Sequence, residues 1–223
     1  MNGRIVDLDG FVARNTAVLT APLVPEVRLH LASEAVPLWQ LTEEEMAAKG
    51  LPPPYWAFAW AGGQALARYV LDHPETVRGK RVLDFATGSG LVAIAAALAG
   101  AAEVRASDID RFAIAATRAN AALNGVSVTC SADDLVGSTL TGVDLVLAAD
   151  ICYEQPTAGR VLGWFRSLAA AGLPVLLGDP GRTYRPRDGV ERLAHYAVPT
   201  TRELEDKDVR STDVWRVLAG EGA

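Results

Sequence analysis

The residues best placed to do chemistry in this chain are acids that end short apolar runs. Asp84 closes Arg81-Val82-Leu83-Asp84, and a turn containing Gly88 and Gly90 follows at once. Asp108 closes a second run, Glu103 to Ser107, twenty residues beyond Gly88. Asp133 follows a third run and Asp150 a fourth. A strand ending in an acid, a glycine turn that admits a ligand close to the backbone, and a second acid further on describe a nucleotide-cofactor crevice at the carboxyl edge of a parallel sheet.

Gly88-Ser89-Gly90-Leu91-Val92-Ala93 fits the G-x-G-x-x-A form of the dinucleotide fingerprint. A pyrophosphate, however, seeks backbone N–H groups and a helix N-terminus, and a carboxylate four residues before Gly88 would repel it. S-adenosylmethionine has no phosphate, and its sulfonium and α-ammonium welcome a nearby acid. Asp84 can act through the glycine turn on the methionine end, and Asp108 can accept from both ribose hydroxyls. Capping the following helix is the competing role for Asp108, and Asp110 can fill it equally well. Either Asp133 or its neighbour Asp134 can accept from the adenine amino group; Asp133 is preferred, with Leu135 packing on the ring. Ala86, Ile109 and Ala149 flank these acids and complete the expected cofactor set.

Asp150-Ile151-Cys152-Tyr153 lies where the methyl group should point. Asp150 can hold a substrate ammonium, and Tyr153 can form an aromatic wall with cation–π character. Asp150 and Tyr153 are therefore the expected catalytic residues. The Asn-Pro-Pro-Tyr or Asp-Pro-Pro-Tyr of enzymes that methylate planar amides and base amines is missing here, so an sp³ amine suits the site better. Tyr55, Trp56, Phe58 and Trp60 cluster just before Gly62-Gly63. Trp56 and Trp60 can be plain core or can roof the cofactor pocket. Asp179-Pro180-Gly181-Arg182 reads as a turn, with Arg182 able to place a charge at the crevice rim.

The elements that must position these residues are legible from periodicity. Strands fall near 81–85, 103–107, 126–131, 143–148 and 173–178, with helices near 90–99, 110–123 and 157–170. Such alternation predicts a parallel sheet covered on both faces. Leu193–Val198 and Thr212–Leu218 predict a terminal antiparallel hairpin. Together they make a seven-stranded, Rossmann-like α/β fold, the class I methyltransferase arrangement, over residues 55–223. Residues 1–54 read as an N-terminal appendage. It should hold an amphipathic helix within 5–23, a strand at Val27, Leu29 and Leu31, a helix from Thr42 to Gly50, and the stiff Leu51-Pro52-Pro53-Pro54 connector.

The chain has 223 residues, of which 22% are charged, with a net charge of −6. That balance argues against general nucleic-acid binding. Cys130 and Cys152 are the only cysteines, and His30, His73 and His195 are scattered, so neither a disulfide framework nor a metal site is expected. No apolar run approaches membrane-spanning length.

The chain resembles the family 16 seven-strand protein lysine methyltransferases, and within them the branch that modifies the electron transfer flavoprotein β subunit. The resemblance is carried by Pro25-Glu26-Val27-Arg28-Leu29, Pro54 to Leu66, the Asp84 turn, Asp150 to Tyr153, Gly178 to Arg182 and Ser211 to Trp215. It implies a D-x-x-Y motif at Asp150 and Tyr153 beside a target lysine, and Trp60 near the cofactor. It also implies a protein partner: the flavoprotein β subunit, or alternatively a ribosomal protein. One departure is Ala86, where the motif often has glycine. Animal members are mitochondrial; the lack of an Arg- and Ser-rich presequence points instead to the cytoplasm.

Overall fold

The structure is a computed structural model and describes residues 7–33, 52–200 and 207–220. Five short strands form its parallel centre: β3 (Arg81–Phe85), β4 (Glu103–Ser107), β5 (Thr129–Ser131), β6 (Leu145–Ala149) and β7 (Val175–Asp179). Two long C-terminal strands, β8 (Val190–Pro199) and β9 (Val209–Val217), pair antiparallel, and β9 joins β7. The order is β5-β4-β3-β6-β7-β9-β8. The chain runs outward from β3 to β5, then returns to lay β6 on the other side of β3. A crevice opens at that reversal, outside the carboxyl ends of β3 and β6.

The sheet is buried on both faces, so β6 is apolar throughout, β3 is apolar but for Arg81 and Asp84, and their side chains alternate between two cores. Val82, Leu145 and Leu147 join one cluster with helices α2 (Ala61–Asp72) and α3 (Leu91–Leu98). Leu83, Phe85, Val146 and Ala148 face the other, against Val161, Trp164 and Phe165 of α5 (Thr157–Ala170). Helix α3 is Leu-Val-Ala-Ile-Ala-Ala-Ala-Leu; the alanines let it sit close to the sheet, and six of its residues are buried.

Residues 7–23 depart from the single helix expected within 5–23. Helix α1 covers only Leu8–Arg14, and strand β1 (Ala17–Ala21) follows. Asp7 caps α1 by accepting from Gly10 N, and Asn15 ends it by returning its amide to Phe11 O. The run from Thr16 to Thr20 is rich in β-branched residues and pairs with β2 (Val24–Leu31), and that tertiary pairing overrides helical periodicity. The third central strand is also shorter than expected, because β5 is an edge strand that meets β4 over three residues. The helix expected at Thr42–Gly50 lies outside the described residues.

The β1–β2 hairpin buries Val27, Leu29 and Leu31 in the main core. Its backbone is held by helix α4 (Arg111–Leu123) and the residue after it. Asn120 Oδ1 accepts from His30 N at 2.7 Å, and Asn124 bridges both Arg28 N (3.0 Å) and Arg28 O (2.6 Å). Among the described residues no helix is long and apolar enough to cross a membrane.

Candidate active site

The turn after β3 is held by its own acids. Asp84 is fully buried, and its Oδ2 accepts from Thr87 Oγ1 at 2.5 Å and from Ala93 N at 3.0 Å. Burial pushes its carboxyl up to about 7, against the pull of those two donors. Asp108 Oδ2 accepts from Gly88 N at 3.0 Å, while Oδ1 accepts from Asp110 N at 2.9 Å. Burial raises the Asp108 carboxyl as well. Asp110 takes the helix cap, accepting from Phe112 N, which leaves Asp108 at the crevice.

These bonds favour a cofactor without phosphate. A pyrophosphate would need the Gly88 N–H and the first-turn N–H groups of α3. Gly88 N–H is already turned to Asp108 and Ala93 N–H to Asp84. Two carboxylates occupy the place of an anion, so the turn suits a phosphate-free, cationic ligand. Gly88 has φ +54°, and the nearest atom to an added Cβ would be Trp56 Cα at 4.0 Å, so the turn is open on that side. Ala86, in place of the usual glycine, also has positive φ, at 54°.

Helix α4 clamps this turn through two residues that periodicity does not reveal. Thr117 Oγ1 donates to Gly88 O at 3.2 Å, and Asn120 Nδ2 donates to Ser89 O at 2.8 Å. Both side chains are fully buried. Thr117 also presses on Gly90: a Cβ there would lie 2.9 Å from Thr117 Cγ2. A polar residue on the buried face of an Ala-rich helix was the only available signal.

The second half of the crevice is built on Asp150. It lies just past β6 with φ 55°, in the left-handed region that an L-residue adopts only when its surroundings enforce it. Its N–H donates to Gly178 O at 3.0 Å, its Oδ2 accepts from Gly63 N at 2.9 Å, and its Oδ1 accepts from Arg182 Nη2 at 2.9 Å. Both side chains of that ion pair are largely shielded, 11% exposed for Asp150 and 18% for Arg182. The guanidinium stands over the Trp60 ring at 5.5 Å. Asp179 sets the turn that carries it, with Oδ1 accepting from Gly181 N and Arg182 N. Arg182, read from sequence as one residue of a turn, is thus a partner of the expected catalytic acid.

Gly62 explains the Gly-Gly pair. An added Cβ would fall 2.5 Å from Gly178 O and 2.6 Å from Asp150 Oδ2, so helix α2 meets β7 backbone to backbone beside the acid. Gln64, next in line, is buried; its amide donates to Ala59 O and its carbonyl accepts from Leu23 N.

The two tryptophans divide. Trp56 is core, stacked on Phe112 at 6.2 Å. Trp60 is half-buried, donates Nε1–H to Tyr55 O and carries Arg182. Tyr55 in turn meets Tyr153 at 5.6 Å. Tyr153 is 45% exposed, and its phenol, pushed up to about 12 chiefly by burial, stays protonated. Asp108 contributes to that rise, which places its charge within reach of Tyr153.

The adenine end is less built. Ser131 Oγ donates to Asp133, while Asp134 accepts from Val136 N and pairs with Arg160 at 3.9 Å. Leu135 is partly buried against the α5 side of the sheet. Ile109 is 74% exposed directly after Asp108, an apolar side chain with little protein to cover it. Ala149 is half-buried at the end of β6. A surface cavity of about 530 Å³ between α5 and residues 136–139 contains none of these acids. Among the described residues no cluster of ligands could hold a metal ion.

Known proteins share the sequence and the fold of this chain. The family model for ribosomal protein L11 methyltransferase matches residues 64–152. The electron transfer flavoprotein β subunit lysine methyltransferase of Danio rerio is 38% identical over 94% of this chain and 83% of its own length. The Homo sapiens protein of the same name is 32% identical over 94% of this chain and 81% of its own. Among solved structures, magnesium protoporphyrin IX methyltransferase of Synechocystis with bound S-adenosylmethionine shares 18% identity and a TM-score of 0.56, over 84% of this chain and all of that one. The ribosomal protein L11 methylase of Lactobacillus delbrueckii shares 21% identity and a TM-score of 0.51, over 72% and 81%. Those two likenesses establish the methyltransferase fold, and the curated relatives establish the rest: this chain belongs to the family of electron transfer flavoprotein β subunit lysine methyltransferases, which are S-adenosylmethionine-dependent protein-lysine N-methyltransferases.

Proposed function

We propose that this chain methylates a lysine ε-amine of the electron transfer flavoprotein β subunit, in the cytoplasm, with Asp150 and Tyr153 receiving the lysine. The observation that carries this reading is the strained, shielded Asp150 at the end of β6, backed by the Tyr55–Tyr153 wall. The names of the relatives supply the partner.

S-adenosylmethionine supplies, when bound, a methyl on a positively charged sulfur; transfer forms an N–C bond, breaks the S–C bond and leaves the electron pair on sulfur. Asp84 and Asp108 shape the glycine turn for the methionine end, and Asp108 keeps lone pairs for the ribose. Gly88, Gly90 and Ala86 line that turn, and Trp60 and Ala149 flank the methyl position. Ile109 and Leu135 pack on the adenine, and Asp133 takes its amino group, with Asp134 as the neighbouring alternative.

A free lysine has a pKa of about 10.4, and only its neutral form attacks. Asp150 captures and orients the incoming ammonium, and the proton then leaves to water. No strong base is required, since orientation alone is worth several kcal/mol, on the order of 7–11 in ideal cases.

The test is incubation of the purified protein with electron transfer flavoprotein and labelled S-adenosylmethionine, followed by mass spectrometry of the β subunit. Label on a β-subunit lysine, lost in Asp150→Ala while cofactor still binds, supports the reading. An unlabelled β subunit removes the partner, and an Asp150→Ala protein with full turnover removes the role of Asp150. The match to the L11 methyltransferase model favours a ribosomal protein as the second substrate to try.

A further inference from the structure

The proposed reaction contains a conflict. Asp150 must attract the lysine, yet a bare carboxylate beside an amine stabilises the ammonium, which cannot react. The structure places a fixed cation at that point. Arg182 Nη2 lies 2.9 Å from Asp150 Oδ1, and both side chains are shielded. Nothing about this contact is casual. Asp179 is buried and holds the Arg182 turn through two N–H bonds, and Tyr184 N ties the following residues to Cys152 O. The guanidinium face rests on Trp60.

We propose that Arg182 is a positioning residue that sets the charge of the lysine site. By neutralising Asp150 it lets the carboxylate orient the amine through a hydrogen bond without holding its proton. The guanidinium remains charged at any working pH and cannot itself take the proton. Its positive charge beside the bound amine disfavours the ammonium form, so it eases proton loss to water before attack.

Among the described residues, further titratable groups surround the pair. Asp179 stands behind the guanidinium on β7. Cys152, on the Asp150 side, is pushed well up by burial, and the Tyr153 phenol rises to about 12. Tyr55 lies at the mouth, and Asp108 and Glu154 act on Tyr153 from the cofactor side and the rim. Helix α2 presents Gly62 and Gly63 to Asp150. His30, His73 and His195 belong to β2, the end of α2 and β8.

This inference rests on lysine methylation at Asp150, and the experiment separates the two. The pH dependence of kcat is measured for the wild type, Arg182→Lys and Arg182→Gln with the flavoprotein as substrate, alongside cofactor affinity by calorimetry. In Arg182→Gln the rising limb of kcat should move up by about one pH unit, roughly a tenfold loss near pH 7, with KM unchanged or lower. Cofactor affinity should hold, and Arg182→Lys should bring the limb back toward the wild type. An unshifted limb in Arg182→Gln overturns the inference, as does a loss confined to KM or to cofactor binding. No transfer by the wild type to any lysine would instead remove the function on which the inference rests.

Discussion

Two adjacent glycines should respond to the same substitution in opposite directions. At Gly62 an added methyl would lie 2.5 Å from Gly178 O, 2.6 Å from Asp150 Oδ2 and 2.8 Å from Asp150 Cγ. Carbon contacts are comfortable only from about 3.5 Å, so α2 and β7 would have to separate by roughly 1 Å. The contact is reciprocal, since a methyl on Gly178 would lie 2.2 Å from Gly62 O. The methyl would meet the Gly178 backbone and the Asp150 carboxylate, which its ion pair with Arg182 holds in place. Overpacking of this kind costs about 1–3 kcal/mol, offset by up to ~1 kcal/mol of better helix propensity. For a chain of this length the net loss, roughly 0–3 kcal/mol, lowers Tm by up to about 12 °C. At Gly63 nothing lies within 4 Å of the added methyl. Only the propensity gain remains there, up to ~1 kcal/mol and a rise of about 2–4 °C. Calorimetric melting of Gly62→Ala and Gly63→Ala side by side reads the difference. If Gly62→Ala melts at or above Gly63→Ala, the close helix–strand contact beside Asp150 is wrong.

Asp108→Ala should weaken S-adenosylmethionine binding about 10- to 100-fold, the loss of hydrogen bonds to a charged acceptor, and titration calorimetry with unchanged affinity would refute that role. Asp84 provides a pH signature. Its carboxyl is raised from 3.8 to about 7 in the fold, so the folded state binds the extra proton. Stability therefore falls as pH rises between about 4 and 7 and levels off above. The Tm of the cofactor-free wild type minus that of Asp84→Asn should shrink across that window; a difference flat from pH 5 to 8 contradicts it. Asn120→Ala strands two groups at once, His30 N and Ser89 O. It should cost about 2–4 kcal/mol and weaken cofactor binding as well. A urea midpoint near the wild type would show that the clamp on the glycine turn is dispensable.

Local pattern was enough to put the expected cofactor residues around one turn. Asp84, Gly88, Gly90 and Asp108 lie within 25 residues, on two neighbouring strand ends and the turn between them. Their spacing alone brings them together once the strands pair. The acceptor half is assembled from three distant segments. Gly63, Asp150 and Arg182 meet because β6 and β7 are neighbours and α2 lies against both strand ends. The turn at Asp179 to Arg182 offers Arg182 as a rim charge, but no local signal names Asp150 as its partner. The same limit applies to Thr117 and Asn120, which read as ordinary polar positions until α4 is packed on the glycine turn.

Read alone, then, the chain determined where strands end in acids, because apolar runs of strand length, glycine turns and helix periods are all near-neighbour properties. That was sufficient for the fold and the cofactor, and it put Asp150 forward as the acid of the proposed lysine site. The extent of α1 and β5 was decided by pairing with other strands, which local propensity does not contain. The charge state of the acceptor site was decided in the same way. Asp150 looks like a bare carboxylate in the sequence and becomes half of a shielded ion pair only when residues 32 positions apart are brought to 2.9 Å. Charge–charge energy depends on distance and burial, and both are set by the folded chain.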